Sequence, residues 1–348
     1  MQTAPDISED VLAEVLRSEY DFDLRELQFW PHGEASYSFI CSNAHRQVFL
    51  KLYDPGLPAQ ESGTHRFHRV LPLVRALAGL GLRVNIPIET SRGDFSSRID
   101  GYMLVAFEYI DGSTLGEKPW TSVIYSGLGD SIGRLHRQTA AWQHLLPSSQ
   151  GIAIPSQSEI DELVQQIETG SCSPRRARAK LARELLPRRR ELYAHHQRLS
   201  ELSAVVQSSQ DGWVLCHSDL TGGNLIRSGN DVTIIDWDGV CLAPREFDLA
   251  FFSDEPFEDK YGPFLRAYAE HEIPDLSADA FIFRMYQRNI EDFVEGARFV
   301  LEQDTNDEEL DHALEVALED GVYDWRLFET GERKHREFVE RWNEMTKA

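Results

Sequence analysis

Residues 216–226, CHSDLTGGNLI, place His217, Asp219 and Asn224 around the pair Gly222-Gly223. After a short apolar run, Val232, Thr233, Ile234 and Ile235, the chain continues Asp236-Trp237-Asp238-Gly239. A carboxylate beside an attacking hydroxyl can orient it and accept its proton. An asparagine oxygen is a hard, neutral ligand suited to magnesium. The glycines let the main chain turn tightly between the two. Asp236, at the end of a strand, would project a second hard ligand. The spacing H-x-D-x4-N-x11-D fits a phosphoryl-transfer centre, where one carboxylate serves the nucleophile and a metal serves the phosphates. The bland alternative is a pair of Asp- and Asn-rich turns flanking a hairpin, which are common. Four such residues around one strand pair favour chemistry.

A phosphoryl donor also needs a cation. Lys51 in VFLKLY is the candidate. Strand alternation puts Val48, Leu50 and Leu52 on one face and Phe49, Lys51 and Tyr53 on the other. A lysine in so apolar a strand either reaches an edge or meets an anion. The ordinary reading is a surface lysine on a half-exposed strand. The functional one is an ammonium over nucleotide phosphates, fixed by a carboxylate. Glu61 is the only glutamate between Lys51 and Glu89, so a Lys–Glu pair would use it. Asp54 is the nearby aspartate.

Elements must position these groups. DISEDVLAEVLRSEYDF reads as an amphipathic helix, capped by Asp6 with Glu9 three residues on, and striped by Val11, Leu12, Val15 and Leu16. ASYSFICS and QVFLKLY read as strands joined by the polar turn NAHR. RVLPLVRALAGLGL reads as a helix with Pro72 near its start or at a kink. NIPIET, FSSRI and YMLVAFEYI read as further strands, with SRGD and Asp100-Gly101 as hairpin turns, for a sheet of about five strands. After IDGSTLG the period becomes helical, with Leu128, Ile132 and Leu135 on one face. Residues 156–205 and 257 onward are also helical in pattern. NLIRS and DVTIID flank the turn Ser228-Gly229-Asn230. The expected organisation is α+β: a β-rich lobe over 1–107, a linker over 108–113, and a larger, mainly helical lobe over 114–348.

With 348 residues the chain is too long for one simple core. The formal net charge of −23 disfavours nucleic acid and anionic membrane surfaces and permits a cationic small substrate. No apolar stretch approaches the ~20 residues of a membrane span. The acidic, polar N-terminus is not a secretory signal. Cys41, Cys172, Cys216 and Cys241 show no CxxC spacing and read as free thiols of a cytoplasmic protein. PRRARAKLARELLPRRR, in residues 174–190, reads as a solvated helix face balancing an acidic body rather than an RNA or lipid site. His195 and His196 are adjacent, so on a helix they diverge and form no metal pair. No obligatory protein partner is evident.

Together, VLCHSDLTGGNLI and IIDWDGVCLAPREFDLAFF resemble the core of the aminoglycoside phosphotransferase and choline kinase superfamily, small-molecule relatives of protein kinases. Within it the chain is most similar to spectinomycin phosphotransferases, in VLCHSD, IIDWD, the LAPRE-DL stretch and Arg288, Ile290, Glu291 and Asp292. LHRQT also fits. The resemblance is specific over 213–252 and diffuse elsewhere, extending from the first helix to about residue 300.

The resemblance implies a protein-kinase-like two-lobe fold and ATP·Mg2+-dependent phosphorylation of a small-molecule hydroxyl. Asp219 would be the catalytic base and His217 its support. Asn224 and Asp236 would bind Mg2+. Lys51 would hold the α- and β-phosphates, and Asp248 would brace the catalytic loop. Main-chain groups of Glu108 and Ile110 would meet adenine. The hairpin 33–38 would cover the phosphates, with Ser36 near them. Glu291 and Asp292 would read a cationic acceptor such as an aminocyclitol. There is no GxGxxG, DFG or APE, which disfavours a protein substrate. The alternatives are a metabolite kinase acting on choline, homoserine or a sugar, and a kinase-like binding module without activity.

Overall fold

Alternating apolar residues build the first sheet. Its strands are β1 (Glu26–Trp30), β2 (Tyr37–Ser42), β3 (Gln47–Tyr53), β4 (Ser97–Ile99) and β5 (Tyr102–Glu108). They lie in the order β1-β2-β3-β5-β4, with every neighbour antiparallel. The computed structural model describes residues 4–31, 36–53, 63–115, 120–146, 152–171, 173–209, 212–253, 257–273, 275–303, 305–315, 317–318 and 326–347. One face of the sheet buries Val48, Leu50 and Leu52 with Leu12, Leu16 and Tyr20 of helix α1 (Glu9–Tyr20). The other face buries Tyr53, Met103, Val105 and Phe107 with Leu71 of helix α2 (Gly63–Gly79). Lys51 belongs to this second face.

Several boundaries differ from the expectations. The N-cap of α1 is Ser8, not Asp6, and no side chain caps it. Pro72 lies inside α2, because the helix begins before the apolar stretch that signals it. One lost backbone bond is tolerated there because Val70, Leu71, Leu73, Val74 and Leu77 are all buried. NIPIET forms only an isolated bridge between Pro87 and Phe107. Proline has no N–H to continue a ladder, although Ile88 N still donates to Ala106 O (2.8 Å) and Glu108 N to Ile86 O (2.9 Å). The fifth strand is instead β1, ELQFW, a half-exposed edge. Asp100 (φ 47°) and Gly101 (φ 90°) form the β4–β5 turn, both in the left-handed region that a type I′ turn needs.

The chain divides into two compact units. The first comprises Met1–Pro147, Leu215–Cys241 and Glu255–Glu272; the second comprises Ser148–Val214, Leu242–Asp254 and Ile273–Ala348. Residues 108–113 lie wholly within the first. So does a smaller sheet of β6 (Ser113–Thr114), β8 (Leu225–Ser228) and β9 (Asp231–Ile234), in the order β6-β8-β9; β7 (Val214–Cys216) precedes it in the chain. Helix α3 (Ser122–His136) buries Leu128, Ile132 and Leu135. Gly129 lets it lie directly on the Phe264 main chain, where a Cβ would collide.

The second unit is helical: α4 (Gln157–Gly170), α5 (Arg176–Leu185), α6 (Arg189–Gln207), the short turn α7 (Glu246–Leu249), then α9 (Ala278–Glu302), α10 (Asp307–Glu315) and α11 (Arg326–Lys347), with α8 (Gly262–Ala269) intervening in the first unit. The basic stretch holds this unit together. Arg178 donates to Val300 O (2.9 Å) and Gln303 O (3.2 Å), satisfying carbonyls at the end of α9. Arg175 reaches Thr305 O (3.1 Å) and Asp307 (3.0 Å). Arg188 and Arg189 pair with Glu191 and Glu168. Among the described residues no helix is long and apolar enough to cross a membrane. Cys41, Cys216 and Cys241 are buried free thiols, and Cys172 lies outside the described residues.

At the start of α9, Ser277 N donates to the buried Glu246 carboxylate (2.6 Å). Burial outweighs that bond and pushes the Glu246 carboxyl up to about 7. A carboxyl raised on folding favours the folded state below its unfolded pKa of 4.5, and that contribution is lost as pH rises through about 7. Glu246→Gln keeps an acceptor for Ser277 N and removes the charge. Its unfolding free energy is expected to exceed that of the parent at pH 8 by on the order of 3 kcal/mol and to match it near pH 4. Urea denaturation at both pH values measures the difference.

Candidate active site

The β8–β9 hairpin sets the spacing of the chemical groups. Gly229 (φ 66°) makes its turn, and Leu225 faces Ile234 while Ser228 faces Asp231. Asn224 immediately precedes β8, and Asp236 follows β9 by two residues. Ile235 N donates to Asn224 O (2.9 Å), extending the ladder between them. Residues 83–85 cover the other edge of β9: Ile234 N donates to Arg83 O (2.9 Å), and Asn85 N donates to Ile234 O (3.3 Å). Arg83 also pairs with Asp231 (2.9 Å).

The loop 217–224 is fastened to this hairpin by His217, which is wholly buried. Its Nδ1 accepts from Asp219 N (3.2 Å), so its Nε2 carries the proton donated to Ile235 O (3.0 Å). Trp237 stands edge-on to the ring, with centroids 4.7 Å apart, and donates its indole N–H to Ile234 O (3.1 Å). Ser218 adopts φ 69° and donates its hydroxyl to Gly239 O (2.7 Å). A Cβ on Gly239 would stand 2.9 Å from Ser218 Oγ and 3.3 Å from His217 O. The sequence reading did not single out Ser218 or Gly239. The one sequence signal was the glycine closing the DWDG turn.

Asn224 directs its Nδ2 at Asp219, donating to the main-chain oxygen (2.9 Å) and to Oδ2 (2.7 Å). Its own Oδ1 is thereby the atom left for a ligand. Asp236 adopts φ 64°, ψ 62°, a left-handed conformation that aspartate tolerates better than most residues. Its Oδ1 lies 2.6 Å from Lys51 Nζ, with side chains 37% and 13% exposed. Burial pulls the Lys51 ammonium toward neutrality, but Asp236 and Asp238 outweigh it and hold the lysine above its ordinary value. Burial likewise opposes the Asp236 charge, and Lys51 overcomes it, holding the carboxyl below its ordinary range. Tyr53 OH points at Asp238 Oδ2 (3.5 Å). Burial, with the nearby Asp238 and Asp236, keeps that phenol protonated.

Five of the expected residues thus gather in the first unit: Lys51, His217, Asp219, Asn224 and Asp236. Ser36 is buried beside the start of β2. Gly33, Glu34, Ala35, Asp54 and Glu61 lie outside the described residues. Glu108 ends β5, exposed, and Ile110 is half-buried. Asp248, on α7, is fully buried in the second unit. Glu291 and Asp292 are half-buried on α9, in the same unit. Burial pushes the Glu291 carboxyl up to about 7 against the pull of Arg284 and Arg288. Asp292 pairs with Arg288 at 3.7 Å.

The donor set fits magnesium. Asn224 and Asp236 offer hard oxygens from two positions joined by one backbone bond, and Asp236 already attracts a cation.

The model of the phosphotransferase enzyme family matches residues 26–282. The chain belongs to this family. Solved structures place the phosphotransferase in a protein-kinase-like α+β fold. A spectinomycin phosphotransferase in complex with ADP and spectinomycin is 20% identical, covers 95% of this chain and 100% of its own, and has a TM-score of 0.77. An AMP-bound complex of spectinomycin phosphotransferase is 19% identical over 94% of this chain and 98% of its own, with a TM-score of 0.72. An amicoumacin kinase in complex with AMP-PNP, Ca2+ and Ami is 17% identical over 92% and 97%, with a TM-score of 0.54. No curated protein matches the chain in sequence.

Because Lys51 holds Asp236, a metal must compete with an ammonium. Mg2+ is expected to raise the melting temperature of the phosphotransferase, by linkage to the folded state. Lys51→Met, which removes the competitor, should show a larger Mg2+-induced rise, and Asp236→Asn little or none. Thermal scans across a magnesium series check the order.

Proposed function

We propose that the chain is a kinase that transfers a phosphoryl group from ATP, with Mg2+, to a hydroxyl of a small molecule. The supporting observation is the cluster of Asp219, Asn224 and Asp236, fastened together through Ile235, with Lys51 bonded to Asp236. Asp219 orients the acceptor hydroxyl and takes its proton. Asn224 holds the Asp219 carboxylate through Oδ2, which leaves Asp219 aimed rather than free to rotate. His217 supports the loop from beneath. Lys51 exchanges Asp236 for phosphate oxygens and steadies the donor. Asn224 and Asp236 would hold the Mg2+, which when bound neutralises charge on the phosphates. Positioning and charge stabilisation supply most of the acceleration.

The remaining assignments complete this reading. Lobe 1–107 binds the nucleotide, with Glu61 as the carboxylate partner of Lys51 and Ser36 near the phosphates. The linker 108–113 meets adenine through the main chain of Glu108 and Ile110. Lobe 114–348 carries the catalytic loop, braced by Asp248, and the acceptor site. The acceptor we favour is a cationic aminocyclitol. The fold likeness to a spectinomycin phosphotransferase and the acidic pair Glu291 and Asp292 support it. The second reading is a metabolite kinase acting on choline, homoserine or a sugar, and the ion pair that already engages Asp292 with Arg288 favours its neutral member, a sugar. Retention of Lys51, Asp219, Asn224 and Asp236 together argues against a binding module without activity.

Asp219→Asn keeps size and hydrogen bonding but removes the base, so turnover should fall on the order of 10²–10⁴-fold with nucleotide affinity nearly intact. ADP release with a panel of aminocyclitols and metabolic alcohols measures it. Turnover near that of the parent would remove Asp219 from the role.

A cationic acceptor also makes binding depend on salt and pH. Salt screens the attraction, so KM rises with ionic strength. Glu291 is charged above about pH 7 and neutral below it, so KM should rise as pH falls through that value. Glu291→Gln should raise KM at pH 8, change kcat less, and flatten this part of the profile. A best substrate that is neutral or anionic, with KM insensitive to salt, overturns the cationic acceptor and favours a sugar or other metabolite.

A further inference from the structure

The segment 108–113 and the β8–β9 hairpin meet at one unusually close contact. β6 begins at Ser113 and pairs antiparallel with β8, Ser113 facing Arg227 and Thr114 facing Ile226. One residue earlier, Gly112 is exposed, and its φ lies outside the left-handed region. Neither burial nor backbone conformation requires a glycine there. Approach does. A Cβ at Gly112 would stand 2.5 Å from the Arg227 carbonyl oxygen, 2.7 Å from Ile226 Cγ2 and 2.9 Å from Ser228 Oγ. The closest of these is main chain inside a strand and cannot swing aside. Next to it, the Ser228 hydroxyl donates to the Asp111 carbonyl oxygen. Two consecutive residues of the segment thus meet β8, the central strand of its sheet: Asp111 through a hydrogen bond and Gly112 through close approach. That hairpin carries Asn224 at one end of β8 and Asp236 just beyond β9, in a register fixed by Leu225 facing Ile234.

We propose that Gly112 and Ser228 are positioning residues that fix the distance between the base-binding segment and the metal-binding hairpin. The inference rests on the functional reading above and adds a mechanical link to it. A nucleotide held at adenine by 108–113 extends its phosphates toward Asn224 and Asp236. The two ends of that ligand are read by pieces of chain far apart in sequence. Gly112 brings the pieces to contact distance, and Ser228 locks their relative height. A side chain at 112 lifts the segment off β8 and shifts the base relative to the metal ligands without touching either.

The test separates the two halves of the ligand. Adenosine reports the base segment alone, and Mg·AMP-PNP reports the segment and the hairpin together. Gly112→Ala should bind adenosine within about twofold of the parent while losing about tenfold or more in Mg·AMP-PNP affinity and up to about 10²-fold in kcat, the scale of a misplaced group. Ser228→Ala should show the same split to a smaller degree, and Ser228→Thr, which keeps the hydroxyl, should restore it. Equal losses for both ligands, or a lowered melting temperature with unchanged affinities and unchanged kcat per folded molecule, would overturn the proposal and leave a structural contact only. If Gly112→Ala does not fold, the Ser228 pair decides: no difference between Ser228→Ala and Ser228→Thr overturns it. A parent chain that binds adenosine but never Mg·AMP-PNP overturns the functional reading, and this inference with it.

Discussion

The main chain of Ile235 holds the candidate site together. Its N–H reaches Asn224 O (2.9 Å), and its carbonyl oxygen receives the His217 ring N–H (3.0 Å). One residue thereby fastens the loop with Asp219 to the end of the hairpin, next to Asp236. Neither bond depends on the Ile235 side chain. The neighbouring residues keep these two bonds aligned. His217 needs one tautomer to serve both Asp219 N and Ile235 O, and Trp237 packs on its ring. Ser218 takes the left-handed turn between the wholly buried His217 and the half-buried Asp219. Gly239 needs to lack a side chain so that Ser218 can reach its carbonyl.

Charge is organised around this scaffold at two levels. The whole chain carries −23, so cations are the scarce resource. Lys51 is half-buried in its strand near two carboxylates, Asp236 and Asp238, which keep it charged. Arg178, Arg188 and Arg189 of the basic stretch are engaged elsewhere, with helix-end carbonyls and acidic side chains. A basic run that invites a nucleic-acid reading from composition thus has Arg175 and Arg178 bonded to the protein itself, while Arg176 and Arg190 stay exposed.

The site was legible because its logic is local. Asp219, Asn224 and Asp236 lie within one short stretch, and their types and spacing carry meaning before any folding is known. The alternation around Lys51 was equally direct. What escaped was non-local or geometric. The strand ELQFW has one half-exposed face and too few residues for a clear period, so it was passed over in favour of NIPIET, whose proline limits it to a bridge. Asp6 offers cap chemistry two residues too early, and the helix begins after Ser8 instead. Gly112 reads in sequence as an ordinary turn glycine in IDGST; only the nearness of Arg227 O gives it meaning. The arginine that engages Asp292 sits one helical turn away, and spacing alone could not say whether the acid faced its neighbour or a ligand.

The first unit is discontinuous, and this bears on the order in which the molecule is made. Its sheet is complete in the emerging chain once β5 has been synthesised. Lys51, already placed on that sheet, has its carboxylate partner 185 residues downstream. Between them lies Ser148–Val214, which belongs to the other unit. At ~5–20 residues per second, the lysine waits on the order of ten seconds or more for Asp236 to leave the ribosome. During that interval the apolar face carrying Phe49 and Tyr53 surrounds an ammonium with no counter-ion from the hairpin. The Lys51–Asp236 pair therefore cannot form before the β8–β9 hairpin has been synthesised, so the candidate site is completed well after the sheet that carries its lysine.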